Sequence, residues 1–146
     1  MAACTFFGHR DCYGLDMAVL KCAIEKRIRK GVDTFYVGHQ GQFDSMVLHC
    51  LRALKAEYPH IRFSVVLAYM PTCKPEYDPY ADCSIYPEGL EETLPKFAIA
   101  RRNKWMISKS TDCLCFIQHP WGGAYQFART AKYSNLEVEN LGIFKI

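Results

Sequence analysis

Short apolar runs alternate along the chain with amphipathic segments. The runs are rich in β-branched and aromatic residues, and they predict strands at residues 4–7, 33–37, 62–69 and 113–118. The amphipathic segments repeat apolar residues at three- and four-residue steps, and they predict helices at residues 15–30, 43–54, 97–109 and 124–133. Strands that alternate with helices in this way are typical of an α/β fold with a parallel sheet.

The edges of the predicted sheet are less regular. The run at residues 62–69 is almost continuously apolar, as expected of a central strand that is covered on both faces. Residues 136–138 and 142–146 are weaker β-like pieces, and we expect one or both to close an edge. We therefore predict a single Rossmann-like three-layer domain over residues 1–146, with a mostly parallel sheet of five or six strands and helices on both faces.

The pattern breaks from Met70 to Pro95, where prolines, tyrosines and acidic residues follow without a sustained period. A loop of this length is usually functional or partly structured. It is either a surface excursion, with a short strand near residues 83–86, or a flap over the ligand-binding edge of the sheet. We favour the flap, because the segment leaves the predicted sheet at Tyr69.

Composition and charge narrow the function classes. The net charge of +3 is small, and the basic residues of the first helix are explained by a solvated surface. This argues against nucleic acid as the partner, which normally requires a dense basic stripe. No stretch is apolar for the roughly 18 residues that cross a bilayer, and the N-terminus does not resemble a signal peptide. We expect a cytoplasmic protein with no membrane partner.

The chain has eight cysteines. Cys4, Cys113 and Cys115 lie in apolar runs, where cysteine behaves as a small hydrophobic residue. A zinc site would need pairs at ligand spacing, and there is no C-x-x-C pair; only Cys73 and Cys83 remain as further candidates. We expect core packing, reduced thiols, no metal and no cofactor.

Candidate ligand-binding residues follow the predicted strands. In a parallel sheet these turns lie at one edge, where glycine lets backbone amides approach an anion and arginine supplies a planar donor fork. The third predicted helix also begins at this edge and adds three residues. The candidates are Gly8, His9, Arg10, Gly38, Gln40, Gly41, Gln42, Phe43, Tyr69, Arg101, Arg102, Asn103, Trp121, Gly122, Gly123 and Ala124. A nucleotide or sugar phosphate fits this set best.

Several motifs together resemble the SLOG superfamily. They are TFFGHR at residues 5–10, RRNKWMI at 101–107, STD at 110–112 and WGGA at 121–124. This Rossmann-like group includes the domain of DNA-processing protein A and the "lonely guy" phosphoribohydrolases, and the likeness is greatest to its branch of small bacterial proteins. The resemblance implies a nucleotide-derived ligand held by the glycine-bearing turns. Because the superfamily often forms dimers, it also implies a homodimer.

The chain departs from the phosphoribohydrolase motifs. Arg102 and Met106 match the R-K-x-x-M helix motif, but Asn103 stands at the lysine position. The two glycines of the P-G-G-x-G-T-x-x-E loop are present, whereas its glutamate position is Arg129. Cleavage of an N-glycosidic bond develops positive charge on the sugar, which a carboxylate stabilises. The known hydrolytic arrangement is therefore absent.

Three functions stay open on the sequence. The first is binding or sensing of a nucleotide without turnover. The second is an N-glycosidic hydrolase, in which Glu88, Asp44 or Asp11 would replace the missing glutamate. The third is binding of single-stranded DNA by exposed aromatic residues, which only the fold supports and which the modest charge disfavours.

Overall fold

The computed structural model describes residues 2–39, 41–69 and 83–146. It confirms an α/β fold with one six-stranded, all-parallel sheet. The strands are β1 (Ala3–Gly8), β2 (Thr34–Val37), β3 (Arg62–Val66), β4 (Cys83–Ile85), β5 (Asp112–Phe116) and β6 (Glu137–Asn140). The helices are α1 (Met17–Lys30), α2 (Gly41–Glu57), α3 (Pro95–Ser108) and α4 (Gly123–Tyr133), with a 3₁₀ turn at Leu90–Glu92.

The strand order is β4-β3-β2-β1-β5-β6. The chain winds outward from β1 in one direction through β2, β3 and β4, and then in the other direction through β5 and β6. The register pairs Cys4 with Asp112 and Gly8 with Phe116 across β1 and β5. The winding direction reverses between these two strands, so a crevice opens beyond their carboxyl ends, where open α/β sheets bind ligands.

Two apolar cores cover the faces of the sheet. Side chains alternate along β1, so Phe6 joins the core beneath α1 and α2, whereas Phe7 joins the core beneath α3 and α4. Cys113 and Cys115 lie in the second core and Cys4 in the first, all fully buried. Burial raises the pKa of the Cys4 thiol well above its usual range. These cysteines therefore act as core residues, as the sequence predicted.

Of the strands predicted for the edges of the sheet, the structure contains two, and it lacks the third. β4 and β6 close the two edges of the sheet, which accounts for the short strand predicted near residues 83–86 and for one of the two C-terminal pieces. Residues 142–146 form no strand. They fold over the end of β5, where a Cβ atom at Gly142 would lie 2.3 Å from the Ile117 carbonyl oxygen. Residues 70–82 of the predicted flap lie outside the described residues.

Charged side chains close the amino-terminal edge of the sheet, opposite the crevice. The buried Asp112 carboxylate accepts a hydrogen bond from Lys30 Nζ at 2.6 Å. Arg27 Nη1 donates to Glu139 at 2.5 Å, and Lys30 also donates to Glu137. The hydrogen bonds to Asp112 and Glu137 raise the pKa of Lys30. This network ties α1 to β5 and β6.

Candidate functional site

A cleft of ≈ 680 Å³ opens beyond the carboxyl ends of β1 and β5, at the point where the winding of the sheet reverses. Its inner wall is apolar and includes Phe7, Met106 and Phe127. Nine of the predicted ligand-binding residues line it: Gly8, His9, Arg10, Gly38, Arg102, Asn103, Gly122, Gly123 and Ala124. The topology therefore brings together turns that are far apart in sequence.

The open turn, residues 121–124, begins α4 at the wall of the cleft. Gly122 is the N-cap residue, with φ +94°, and no side chain caps the helix. A Cβ atom added at Gly123 would meet no atom within 4 Å. The first amides of an α-helix have no partner within the helix, and the helix dipole adds positive potential there. This turn therefore presents amide donors to the cleft, with the geometry that binds anions in other α/β proteins.

The closed turn, of which the structure describes residues 38–39 and 41–43, leads into α2 at the same edge, but it packs against other parts of the protein. The amide of Gln42 donates to the Arg10 carbonyl oxygen at 3.0 Å, and its side-chain Oε1 accepts from the Cys12 amide at 3.0 Å. Phe43 lies so close that a Cβ atom at Gly8 would be 2.2 Å from its Cγ atom. Gln42 and Phe43 therefore support the β1–α1 loop instead of facing the cleft. Gln40 lies outside the described residues.

Arg102 forms part of the cleft wall but is 3% exposed. Its Nε donates to Asn103 Oδ1 at 2.8 Å, and its Nη1 donates to the Val66 carbonyl oxygen at 3.1 Å. Burial lowers the pKa of Arg102, and the Asp44 carboxylate opposes that shift. A Cβ atom at Gly38 would lie 2.9 Å from Arg102 Nη1 and 3.0 Å from Asp44 Oδ2. Glycine at position 38 thus makes room for these two charged groups.

Three aromatic rings form a column beside the open turn. The ring centroids of His9 and His119 are 3.8 Å apart, and those of His119 and Trp121 are 4.0 Å apart. The interplanar angles are 19° and 17°, so the rings are nearly parallel. His9 Nε2 accepts a hydrogen bond from the Gln118 amide at 3.1 Å, so this nitrogen carries no proton. Burial and the neighbouring His119 lower the pKa of His9.

Sequence reasoning did not include His119 and Gln118 among the candidates, although both line the cleft. Their only signal was their position in the turn between β5 and α4. Their position in the sequence does not reveal that the His119 ring is stacked. Nor does it reveal that Gln118 Nε2 donates a hydrogen bond to the Tyr13 carbonyl oxygen at 3.4 Å. Such contacts depend on residues distant in sequence, and a residue pattern does not reveal them.

Other predicted residues lie elsewhere. Tyr69 is exposed and donates to the Pro95 carbonyl oxygen at 3.1 Å. Arg101 points away from the cleft, because α3 turns it onto a different face from Arg102. Its Nη1 donates to Thr93 Oγ1 at 3.0 Å, and it lines a separate groove with Glu88. Gly41 packs against Arg10 with φ +85°.

The three carboxylates considered for catalysis occupy different places. Asp11 is exposed and lines the cleft. Asp44 also lines it, but is 8% exposed and packs near Arg102. Glu88 lies in the separate groove with Arg101. Arg129, at the glutamate position of the hydrolase motif, stacks on the outer surface of α4 against Tyr125 and Tyr133.

Two features are absent from the described part of the chain. No group of three or more histidine, cysteine, aspartate or glutamate side chains is arranged there to hold a metal ion. Nor does any helix within the described ranges have the length and apolar character to span a bilayer.

The chain was compared with known proteins at two levels. No protein-family model matches it, and no curated protein matches its sequence.

Proposed function

We propose that the cleft binds a nucleotide or a nucleotide-derived phosphorylated ligand, with a phosphate against the amides of the open turn. The observation that carries the proposal is the N-terminus of α4, which has a glycine N-cap and no side-chain cap and lines the cleft between β1 and β5. Free amides and the helix dipole favour an anion at this point. The resemblance of the motifs to the SLOG superfamily supports the same ligand class.

The remainder of the cleft suits the rest of such a ligand. Its volume of ≈ 680 Å³ lies within the range of about 300–1,000 Å³ that is usual for small-molecule sites. Arg10 is exposed at the cleft and can pair with a second phosphate oxygen. Arg102 contributes positive potential from the wall, with two of its donors already engaged by protein oxygens.

The proposal is binding or sensing, with hydrolysis as the alternative. A phosphoribohydrolase-like reaction requires a carboxylate near the sugar. Asp11 is the best placed of the three sequence-predicted candidates, because it is exposed at the cleft, whereas Asp44 is buried near Arg102 and Glu88 lies elsewhere. Hydrolysis would therefore depend on Asp11, and binding would not.

Removal of one amide from the open turn tests the phosphate site. Proline is well tolerated at the first position of a helix, so Gly123→Pro removes the N–H group with little strain. The preceding Gly122 has a ψ of 168°, which suits a residue before proline, and its φ of +94° is accessible because the residue is glycine. A lost charge-assisted hydrogen bond should weaken nucleoside monophosphate binding about tenfold or more, measured by calorimetry.

Two further variants make this test specific. Gly123→Ala keeps the amide, and we expect its affinity to stay within about threefold of the parent. Met17→Pro makes the same backbone change at the first residue of α1, which Asp16 caps, and it should not affect binding. Equal affinities of Gly123→Pro and Gly123→Ala, or no binding by the parent chain, would refute the proposed site.

A separate assay addresses turnover. The parent chain and Asp11→Asn are incubated with nucleoside monophosphates, and free base is quantified by chromatography. Binding without release supports the sensing function. Release that Asp11→Asn abolishes, while binding persists, would establish the hydrolase alternative.

A further inference from the structure

We propose that the exposed face of the Trp121 indole is the platform on which the nucleobase of the ligand stacks. The inference rests on the proposed function, because it places the base of a ligand whose phosphate occupies the open turn. It identifies the ligand class as nucleoside phosphates, as distinct from sugar phosphates that lack a base.

The first support is the fixed orientation of the indole. Trp121 is 64% exposed, yet one face of its ring is held against His119, and His119 is held against His9. His9 is itself fixed by the hydrogen bond from the Gln118 amide. A ring held in this way loses little side-chain freedom when a ligand binds, which favours affinity. An exposed tryptophan without such support would lose more.

The second support is the position of the column. Trp121 immediately precedes Gly122, the N-cap of α4. Trp121 is not among the residues that line the cleft, but its ring centroid lies 4.0 Å from that of His119, which lines the cleft together with Gly122 and Gly123. The column therefore extends from the cleft to the indole. The phosphate and the base of a single nucleotide can therefore be bound by neighbouring residues.

The third support is the chemistry of the rings. The exposed ring of the column is an indole, which carries no charge, and His9 Nε2 at its other end accepts a hydrogen bond from the Gln118 amide. The surface offered to a ligand is thus the uncharged π face of the indole. Such surfaces bind bases through stacking, with little dependence on base identity. A bicyclic purine covers more of the indole than a pyrimidine, so purine nucleotides should bind more tightly.

The test compares adenosine 5′-monophosphate with ribose 5-phosphate, which carries the same phosphate and sugar without the base. The chain contains two tryptophans, so indole fluorescence can be assigned with single variants. Trp105, which packs edge-to-face against Tyr36 away from the cleft, provides the control. We expect the nucleotide to change the fluorescence of Trp105→Phe, where Trp121 is the remaining indole, and not of Trp121→Phe.

Affinities give the second readout. The nucleotide should bind roughly ten- to a hundredfold more tightly than ribose 5-phosphate, the range expected for one stacked base. Trp121→Ala should remove this difference and leave the affinity for ribose 5-phosphate unchanged, which also shows that the variant is folded. Trp121→Phe should retain part of the difference, because phenylalanine still stacks.

The outcomes separate this inference from the proposed function. If both ligands bind equally well, or if Trp121→Ala retains the full preference for the nucleotide, the stacking platform is refuted and the phosphate site stands. If neither ligand binds the parent chain, both proposals are refuted.

Discussion

The closed turn and the open turn look alike in the sequence and differ in the structure. Both carry glycine, both begin a helix, and both lie at the edge of the sheet where a ligand would enter. In the closed turn, the Gln42 amide donates to Arg10 and its side chain accepts from Cys12, so Gln42 helps to hold the β1–α1 loop. In the open turn, Gly122 and Gly123 face the cleft and no side chain caps α4.

This difference shows that a helix N-terminus is a binding site only when the rest of the chain leaves it accessible. The N-terminus of α1 is capped by Asp16, whose Oδ1 accepts from the Ala18 amide at 2.8 Å. α3 begins with Pro95, which has no amide to donate. Among the described helices, α4 therefore combines an uncapped N-terminus with a place in the cleft.

The largest expected effect concerns Arg102, whose guanidinium lies against the closed turn at Gly38. Arg102→Met removes two hydrogen bonds and leaves the buried Asp44 without this nearby cation. Hydrogen bonds made by a charged group contribute about 1.5–3 kcal/mol each, so we expect the free energy of unfolding in urea to decrease by about 3 kcal/mol. Arg101→Met, at the exposed neighbour, should cost less than about 0.5 kcal/mol. If Arg101→Met lowered the free energy of unfolding as much as Arg102→Met, the contacts of Arg102 at the closed turn would not be what stabilises the fold.

The second effect contrasts Gly8, which packs against the closed turn, with Gly123 of the open turn. Gly8→Ala places a Cβ atom 2.2 Å from the ring of Phe43, a clash that the closed turn relieves only by moving α2. Overpacking of this kind costs about 1–3 kcal/mol, and we expect the upper part of that range. Gly123→Ala meets no atom within 4 Å and replaces glycine in a helix, so stability should rise by up to about 1 kcal/mol. Thermal unfolding of both variants should therefore show opposite signs.

A smaller effect concerns Gln42, which joins the closed turn to the β1–α1 loop. Gln42→Ala removes the acceptor of the Cys12 amide and should cost about 1 kcal/mol. Hydrogen exchange of the Cys12 amide should become faster, because the loop opens locally. Gln42→Glu keeps an acceptor and should restore most of the protection. Gln126→Ala, in the first turns of α4, is the matched change at the open turn and should leave that amide unaffected.

The sequence predicted the fold well, and it predicted part of the lining of the cleft. Apolar periodicity is a local property, so helices and central strands such as β5 follow directly from it. The parallel direction of the strands follows from the alternation of strands and helices, which is why Gly8 and Gly123 were expected at one edge of the sheet. Residue type alone does not distinguish Arg101 from Arg102, because burial depends on the face that α3 presents to the sheet. Nor does it indicate that Phe43 would pack under Gly8.

The smallest effect is the response of the column to acid. The fold lowers the pKa of His9 below its ordinary value of 6.5, because burial and His119 disfavour the charged ring. The unfolded chain therefore binds more protons than the folded chain as pH falls through that value. This contribution to stability is complete above pH 6.5 and is lost as the pH falls through the lower pKa of the folded state.

Urea unfolding at pH 7.5 and below pH 6 measures this loss. We expect the free energy of unfolding to decrease at the lower pH, and His9→Gln to reduce that decrease, because glutamine does not titrate. His49→Gln, at an exposed position on α2, should retain the full decrease. If His9→Gln and His49→Gln respond to pH alike, His9 does not couple protonation to folding.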